Sequence, residues 1–220
     1  MNYIITSDLH LGSKHCLCNE FRKFIKTFPD NTTLVLNGDT VNHWHSIKKL
    51  SENHQKTLAF LREESFKRKI IWIRGNNDKS YVMKDAGQIE FKPSYNIEKR
   101  LFIGHGDQFD RIIPILRCAL IPIRLIHCLI NLVSKKQTHV AEYVKKWHRL
   151  YKFFRWHVAK NAVRYAKKNG YKAVTCGHTH YVEDIEMAGI RYINTGTWTE
   201  APAFYLLVTD EKIELQKVEK

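Results

Sequence analysis

Seven side chains of the right chemistry recur at the ends of apolar runs. They are Asp8 and His10, Asp39, Asn76, His105, and the pair His178 and His180. Two carboxylates, one amide oxygen and four imidazoles make a set of oxygen and nitrogen donors with no thiolate. Such a set suits manganese, iron, zinc or cobalt better than calcium or an iron–sulfur cluster. Seven groups exceed what one ion accepts, and they suffice for two ions if one carboxylate bridges. His178 and His180 stand one residue apart after Gly177, so on an extended chain they point the same way and can serve two adjacent ions.

Each group follows a stretch that reads as a buried strand. Asn2 to Ser7 precedes Asp8-Leu9-His10, Thr33 to Asn37 precedes Gly38-Asp39, and Ile70 to Ile73 precedes Gly75-Asn76-Asn77-Asp78. Residues 89 to 103, with a turn at Pro93, lead to Gly104-His105, and Ala173 to Cys176 leads to Gly177-His178-Thr179-His180. Between the first three strands the periodicity predicts helices. One covers residues 19 to 28 with Phe21, Phe24, Ile25 and Phe28 inward. The other runs from Ser51, a capping residue, to Lys69 with Leu58, Leu61 and Phe66 inward. After the histidine pair, hairpins are expected at Val182 to Met187 with Ile190 to Asn194, and at Ala203 to Thr209 with Lys212 to Lys217. Alternating strands and helices with polar clusters beyond the strands predict an α/β fold whose ligands sit at strand carboxyl ends.

The chain's 220 residues suit one sizeable domain. No basic leader and cleavage site opens the sequence, and the five cysteines are scattered and odd in number. Both features predict a cytoplasmic, reducing setting. Cys16 and Cys18 read as a metal pair or, with no second pair at zinc spacing, as free structural thiols. The net charge of +14 lies in one block: residues 111 to 172 hold fifteen Lys/Arg against the single acid Glu142, and the remainder is balanced. An anionic partner follows, whether membrane surface, nucleic acid or phosphorylated ligand.

The strings Ser7-Asp8-Leu9-His10-Leu11-Gly12-Ser13, Gly38-Asp39, Gly75-Asn76-Asn77-Asp78, Gly104-His105-Gly106-Asp107-Gln108-Phe109-Asp110, Gly177-His178-Thr179-His180 and Asn194-Thr195-Gly196-Thr197-Trp198-Thr199-Glu200 carry a resemblance. Over residues 3 to 208 the chain resembles the calcineurin-like metallophosphoesterases, and within them the UDP-2,3-diacylglucosamine diphosphatase-like branch of lipid A biosynthesis. The resemblance implies a sandwich of two mixed sheets flanked by helices, with a basic helical cap inserted at about 109–170 of one domain spanning 1–220. It implies two divalent ions, manganese first. Asp8, His10, Asp39 and His180 would hold one, and Asp39, Asn76, His105 and His178 the other, with Asp39 bridging. A hydroxide held between the ions would attack phosphorus in line. Asp39, Asn76, Asn77 and His105 are the expected catalytic groups. Asn77, Arg111, Arg117 and Arg124 are expected to meet substrate.

Two positions depart from the family pattern. Asn42 stands where Asp is frequent, with a tuning effect expected. Asn77 stands where most members carry a histidine that protonates the leaving group, which asparagine cannot do. A diphosphate, whose leaving group is itself a phosphate, needs little protonation.

The basic block divides in two. Residues 112 to 133 are apolar with Arg117, Arg124 and Asn131 on one stripe. Two arginines at about 2.5–3.5 kcal/mol each, with Pro114 and Pro122, argue against a membrane span. Residues 138 to 168 place Val140, Tyr143, Trp147, Leu150, Phe154, Val158 and Tyr165 on one side and Lys/Arg on the other. His139, His148 and His157 read as surface residues. A hairpin of this kind fits a cap over an acyl-bearing substrate or a peripheral contact with an anionic membrane. Nucleic acid is the second partner considered, through Trp147, Tyr151, Phe153, Phe154 and Trp156. A non-catalytic scaffold, a role this fold serves in retromer, is the third reading.

Overall fold

The computed structural model describes residues 2–42, 50–112 and 148–219. The elements in order are β1 (Tyr3–Thr6), α1 (Cys18–Ile25), β2 (Thr33–Asn37), α2 (Glu52–Glu64), β3 (Ile70–Ile73), β4 (Glu90–Lys92), β5 (Tyr95–Ile97), β6 (Leu101–Ile103), α3 (His148–Lys168), β7 (Ala173–Cys176), β8 (Glu183–Met187), β9 (Ile190–Asn194), β10 (Phe204–Val208) and β11 (Ile213–Lys217). They form a six-stranded sheet in the order β11-β10-β1-β2-β3-β4 and a five-stranded sheet in the order β5-β6-β7-β9-β8. Both sheets are mixed. β1 to β4 run parallel, with β10 antiparallel to β1. In the second sheet β6, β7 and β9 run parallel, with β5 and β8 antiparallel at its edges.

Alternation along the strands divides the core into layers. Tyr3, Ile5, Val35, Ile71 and Ile73 of the first sheet pack on Leu101, Ile103, Ala173 and Ile193 of the second. The opposite face of the first sheet, with Ile4, Leu34, Leu36, Ile70 and Trp72, meets Phe21, Phe24 and Ile25 of α1 and Leu58 and Leu61 of α2. The outer face of the second sheet, with Phe102, Val174, Cys176 and Tyr192, meets α3. The order is helix, sheet, sheet, helix. Strands covered on both faces are buried at every position, which is why β1, β2, β3 and β7 read as unbroken apolar runs.

Three local expectations are corrected. The second helix ends at Glu64, and Phe66 is 53% exposed rather than inward. Arg68 takes the inward place instead. Its Nε bonds buried Glu64 at 2.8 Å and its guanidinium reaches the carbonyls of Phe28 and Pro29, so the chain turns to bury that ion pair and Phe66 swings out over Arg62. The turn at Pro93 is a crossing between sheets, since β4 pairs with β3 and β5 with β6. On α3 the buried stripe is Val158, Ala159, Ala162, Val163 and Ala166, whereas Leu150 and Tyr165 are 41% and 39% exposed. Small residues let the helix approach the bulky Phe102 and Tyr192 of the sheet. His157 is half-buried and shares a hydrogen bond with Asn161. Val140, Tyr143, Trp147, His139, Arg117, Arg124 and most of the expected cap lie outside the described residues. No helix among the described residues is long and apolar enough to cross a membrane.

Candidate metal centre

Five loops meet at the carboxyl ends of β1, β2, β3, β6 and β7, drawn from both sheets. Backbone hydrogen bonds join them. Asp8 N donates to Gly38 O at 3.0 Å, His10 N to Asp39 O at 2.9 Å, Gly177 N to His105 O at 2.8 Å and Trp198 N to Asp8 O at 3.0 Å. Asp8, His10, Asp39, His178 and His180 all have φ between 51° and 60°. Left-handed backbone is costly for residues other than glycine and concentrates at functional sites. Here it marks the place where each loop turns off its strand end. Three glycines permit the approach: a Cβ on Gly177 would overlap the Asp8 carboxylate, one on Gly75 the Asp39 carboxylate, and one on Gly38, itself left-handed at φ +83°, the His105 ring.

His180 Nε2 lies 3.1 Å from Asp8 Oδ1 and 3.1 Å from His10 Nε2, and His10 Nε2 lies 3.6 Å from Asp8 Oδ1. His105 Nε2 lies 3.4 Å from Asp39 Oδ2. Two groups result, each with ligand atoms within 4.8 Å of one another: Asp8, His10 and His180, and Asp8, Asp39 and His105. Asp8 is common to both, whereas Asp39, the bridge implied by the resemblance, belongs to one. The His178 ring sits 5.4 Å from that of His105, but its Nε2 faces Asp110 Oδ2 at 3.0 Å. Asn76 Oδ1 is buried and accepts no hydrogen bond among the described residues. Asn77 faces Asp39: its backbone N donates to Oδ1 at 2.8 Å and its side-chain amide to Oδ2. Arg111 is exposed at the margin of the described residues.

These residues fit metal ions on their own chemistry. His105 Nδ1 lies 2.9 Å from the Asn37 carbonyl, which can only accept, so Nδ1 carries the proton in the neutral ring. Nε2 then presents a lone pair inside a buried site, and it has no hydrogen-bond partner there. That is how a protein orients an imidazole toward a metal. Without an ion the groups neutralise one another. Burial alone would raise the Asp8 carboxyl, but the His180 and His105 imidazoles outweigh it and hold it well below the usual range. Asp39, likewise opposed by burial, is drawn by His105 to about 2. His105 is raised well above its ordinary value by Asp39 and Asp8, against its own burial.

The sequence model of the calcineurin-like phosphoesterases matches residues 1–182. This chain is a calcineurin-like phosphoesterase. As a member of that family of dinuclear metal enzymes it is a metal-dependent phosphoesterase, and it has Asp/His groups that could hold metal ions. The chain is similar in fold to YfcE, a phosphoesterase from E. coli (17% identity, TM-score 0.51, 100% of both chains covered). It is similar also to an archaeal phosphodiesterase (20%, 0.50, 99% of both). A single mutant of Vps29 from Entamoeba histolytica shares the fold too (15%, 0.50, 99% of this chain and 98% of that one). No curated protein sequence matches it.

Three residues to which sequence reasoning assigned no place at the phosphoesterase centre hold its loops. Asp78, 1% exposed, accepts from Thr40 N at 2.8 Å, Trp72 Nε1 at 2.9 Å and Gly75 N at 2.6 Å, tying the Asp39 loop to the Asn76 loop. Tyr151 of α3 donates to the Thr179 carbonyl between the paired histidines. Asp110, also buried, holds the His178 ring. The only sequence signal for Asp110 was its place at the end of the Gly104–Asp110 string. Asp110→Asn keeps the size but weakens the grip on His178. With His178 as the ligand that the resemblance implies, a loss of about 10–100-fold in metal affinity is expected, the usual cost of removing a ligand's outer partner. Titration of the metal-free variant by calorimetry checks it.

Proposed function

We propose that this phosphoesterase cleaves the diphosphate of a lipid-linked or nucleotide-linked sugar such as UDP-2,3-diacylglucosamine. In this reading Asp8, His10, Asp39 and His180 hold one divalent ion, manganese first, and Asp39, Asn76, His105 and His178 hold the other. When bound, the two ions supply a nucleophile at neutral pH and offset charge on the phosphoryl oxygens.

Asn77 carries the reading. Its amide and backbone N occupy both oxygens of Asp39. It therefore positions that carboxylate, and it has no proton to give a departing alkoxide. A phosphate leaving group does not need one. The surface of α3 adds support for a lipid substrate and for a peripheral contact with anionic membrane. Phe153 and Trp156 are about half exposed, at 49% and 47%, and Lys160 Nζ lies 4.6 Å over the Trp156 ring. Tyr151 connects this helix to the histidine loop. A surface both apolar and cationic suits an acylated anion.

The same exposed rings could stack bases, which keeps a nuclease or nucleotide phosphodiesterase as the second reading. A manganese-supplemented panel of UDP-diacylglucosamine, UDP-glucose, cyclic dinucleotides and single-stranded nucleic acid separates the two. Fastest turnover of the acylated diphosphate is expected. Preference for a cyclic dinucleotide or nucleic acid overturns the proposal, and a metal-free, inert chain would favour a scaffold. On simple esters, aryl phosphodiesters should be cleaved well ahead of alkyl ones, and equal rates would remove Asn77 as the reason.

A further inference from the structure

Away from the Asp/His centre, Cys16, Cys18 and His54 bring their sulfur and nitrogen atoms within 4.8 Å of one another. The sequence supplied only the two cysteines. The imidazole comes from another helix. Cys18 is the first residue of α1, and His54 lies in the first turn of α2. Their meeting is built. Cys18 and Arg22 lie four apart on one face of α1. Arg22 forks across to α2, donating to the Asn53 carbonyl at 3.1 Å, to Asn53 Oδ1 at 2.7 Å and to Thr57 Oγ1. That clamp fixes the face of α2 on which His54 lies. Cys18 is 1% exposed and His54 8%, while Cys16 reaches partial exposure.

We propose that Cys16, Cys18 and His54 form a separate site for a thiophilic divalent cation of the zinc type, with water as fourth ligand on the Cys16 side. Two thiolates and an imidazole are soft-to-borderline donors, unlike the thiolate-free oxygen and nitrogen set at the strand ends, so the two sites sort metals by chemistry. The sulfurs stand 2.7 Å apart and must part on binding, which side-chain rotation at the partly exposed Cys16 allows. The ion would pin α1 to α2. Leu17, between the two cysteines, donates to the Trp198 carbonyl at 2.9 Å, and Trp198 N donates to Asp8 O, so the pin stands one strand of loop from the phosphoesterase centre.

Cobalt titration of the full reduced chain tests this. A near-ultraviolet thiolate-to-cobalt charge-transfer band is expected, because the Asp/His ligands cannot produce one. Its final intensity should correspond to one thiolate-bound cobalt per chain, and it should disappear in the Cys16→Ser/Cys18→Ser double variant, which separates it from Cys118, Cys128 and Cys176. His54→Gln should weaken cobalt binding at that band at least tenfold. Should the double variant fail to fold, zinc-edge X-ray absorption on the wild-type chain decides, with sulfur scattering at about 2.3 Å expected. No band in the reduced chain, a band that survives the double substitution, zinc bound by nitrogen and oxygen alone, or a Cys16–Cys18 disulfide that resists reductant would each overturn the site.

Discussion

Asp39→Ala is expected to abolish turnover, with kcat/KM falling about a thousand-fold or more while the chain remains folded. The carboxylate forms one ligand group of the centre with Asp8 and His105. It lies 3.4 Å from His105, it receives both donors of Asn77, and it is 2% exposed. With Asp39 as a ligand in the proposed function, removing it takes one anionic ligand from the pair of ions and frees Asn77 from its anchor. Metal ions contribute several kcal/mol by offsetting phosphoryl charge in the transition state. At about 1.4 kcal/mol per tenfold, a loss of roughly 4 kcal/mol gives the thousand-fold figure. Steady-state kinetics at saturating manganese, with metal content and circular dichroism alongside, check it. A variant within tenfold of wild type would remove Asp39 from the centre.

Asp78→Ala should act first on stability. Three buried donors, Thr40 N, Gly75 N and Trp72 Nε1, converge on this carboxylate. A buried donor left without its acceptor costs about 1–3 kcal/mol. Partial relaxation leaves an expected loss of roughly 3–5 kcal/mol, at the upper end for single substitutions. Asp78→Asn should recover part of it, because the amide oxygen can take the place of Oδ2 and accept from Thr40 N and Trp72 Nε1, leaving Gly75 N against an amide nitrogen that cannot accept. Urea unfolding measures the effect as a lowered midpoint at unchanged slope. Metal affinity should weaken in the same variants, since Thr40 follows Asp39 and Gly75 precedes Asn76. A midpoint unchanged in Asp78→Ala would show that the loops are held together by other contacts.

The sequence disclosed most where burial was two-sided. β2, β3 and β7 were expected at Thr33–Asn37, Ile70–Ile73 and Ala173–Cys176, and those are their bounds, because strands covered on both faces carry no polar interruption. It disclosed that polar groups gather beyond strands, since each follows the carboxyl end of a strand in one sheet or the other. It did not disclose partners that meet only in three dimensions. His178 and Asp110 are 68 residues apart, and Asp78 works through backbone amides that have no sequence signature. It misjudged α3 because aromatic residues outweigh alanine in any periodicity. The sheet beneath is already bulky at Phe102 and Tyr192, so alanines are what fit against it. Phe66 was misplaced for a related reason: nothing in the local pattern says that Arg68 will be buried with Glu64.

Strand order carries a consequence for shortening the protein. The stretch that defines family membership stops at residue 182, yet β9 lies between β7 and β8, and β10 lies against β1. A chain ending there would keep every histidine and aspartate of the centre and lose the neighbours of two interior strands. β1 and β7 would become bare sheet margins, apolar and unguarded, which invite pairing with other molecules. Trp198, whose ring packs on Phe21 and Phe24, would go with them. The last 38 residues are thus what keeps a chemically complete site from belonging to an aggregate.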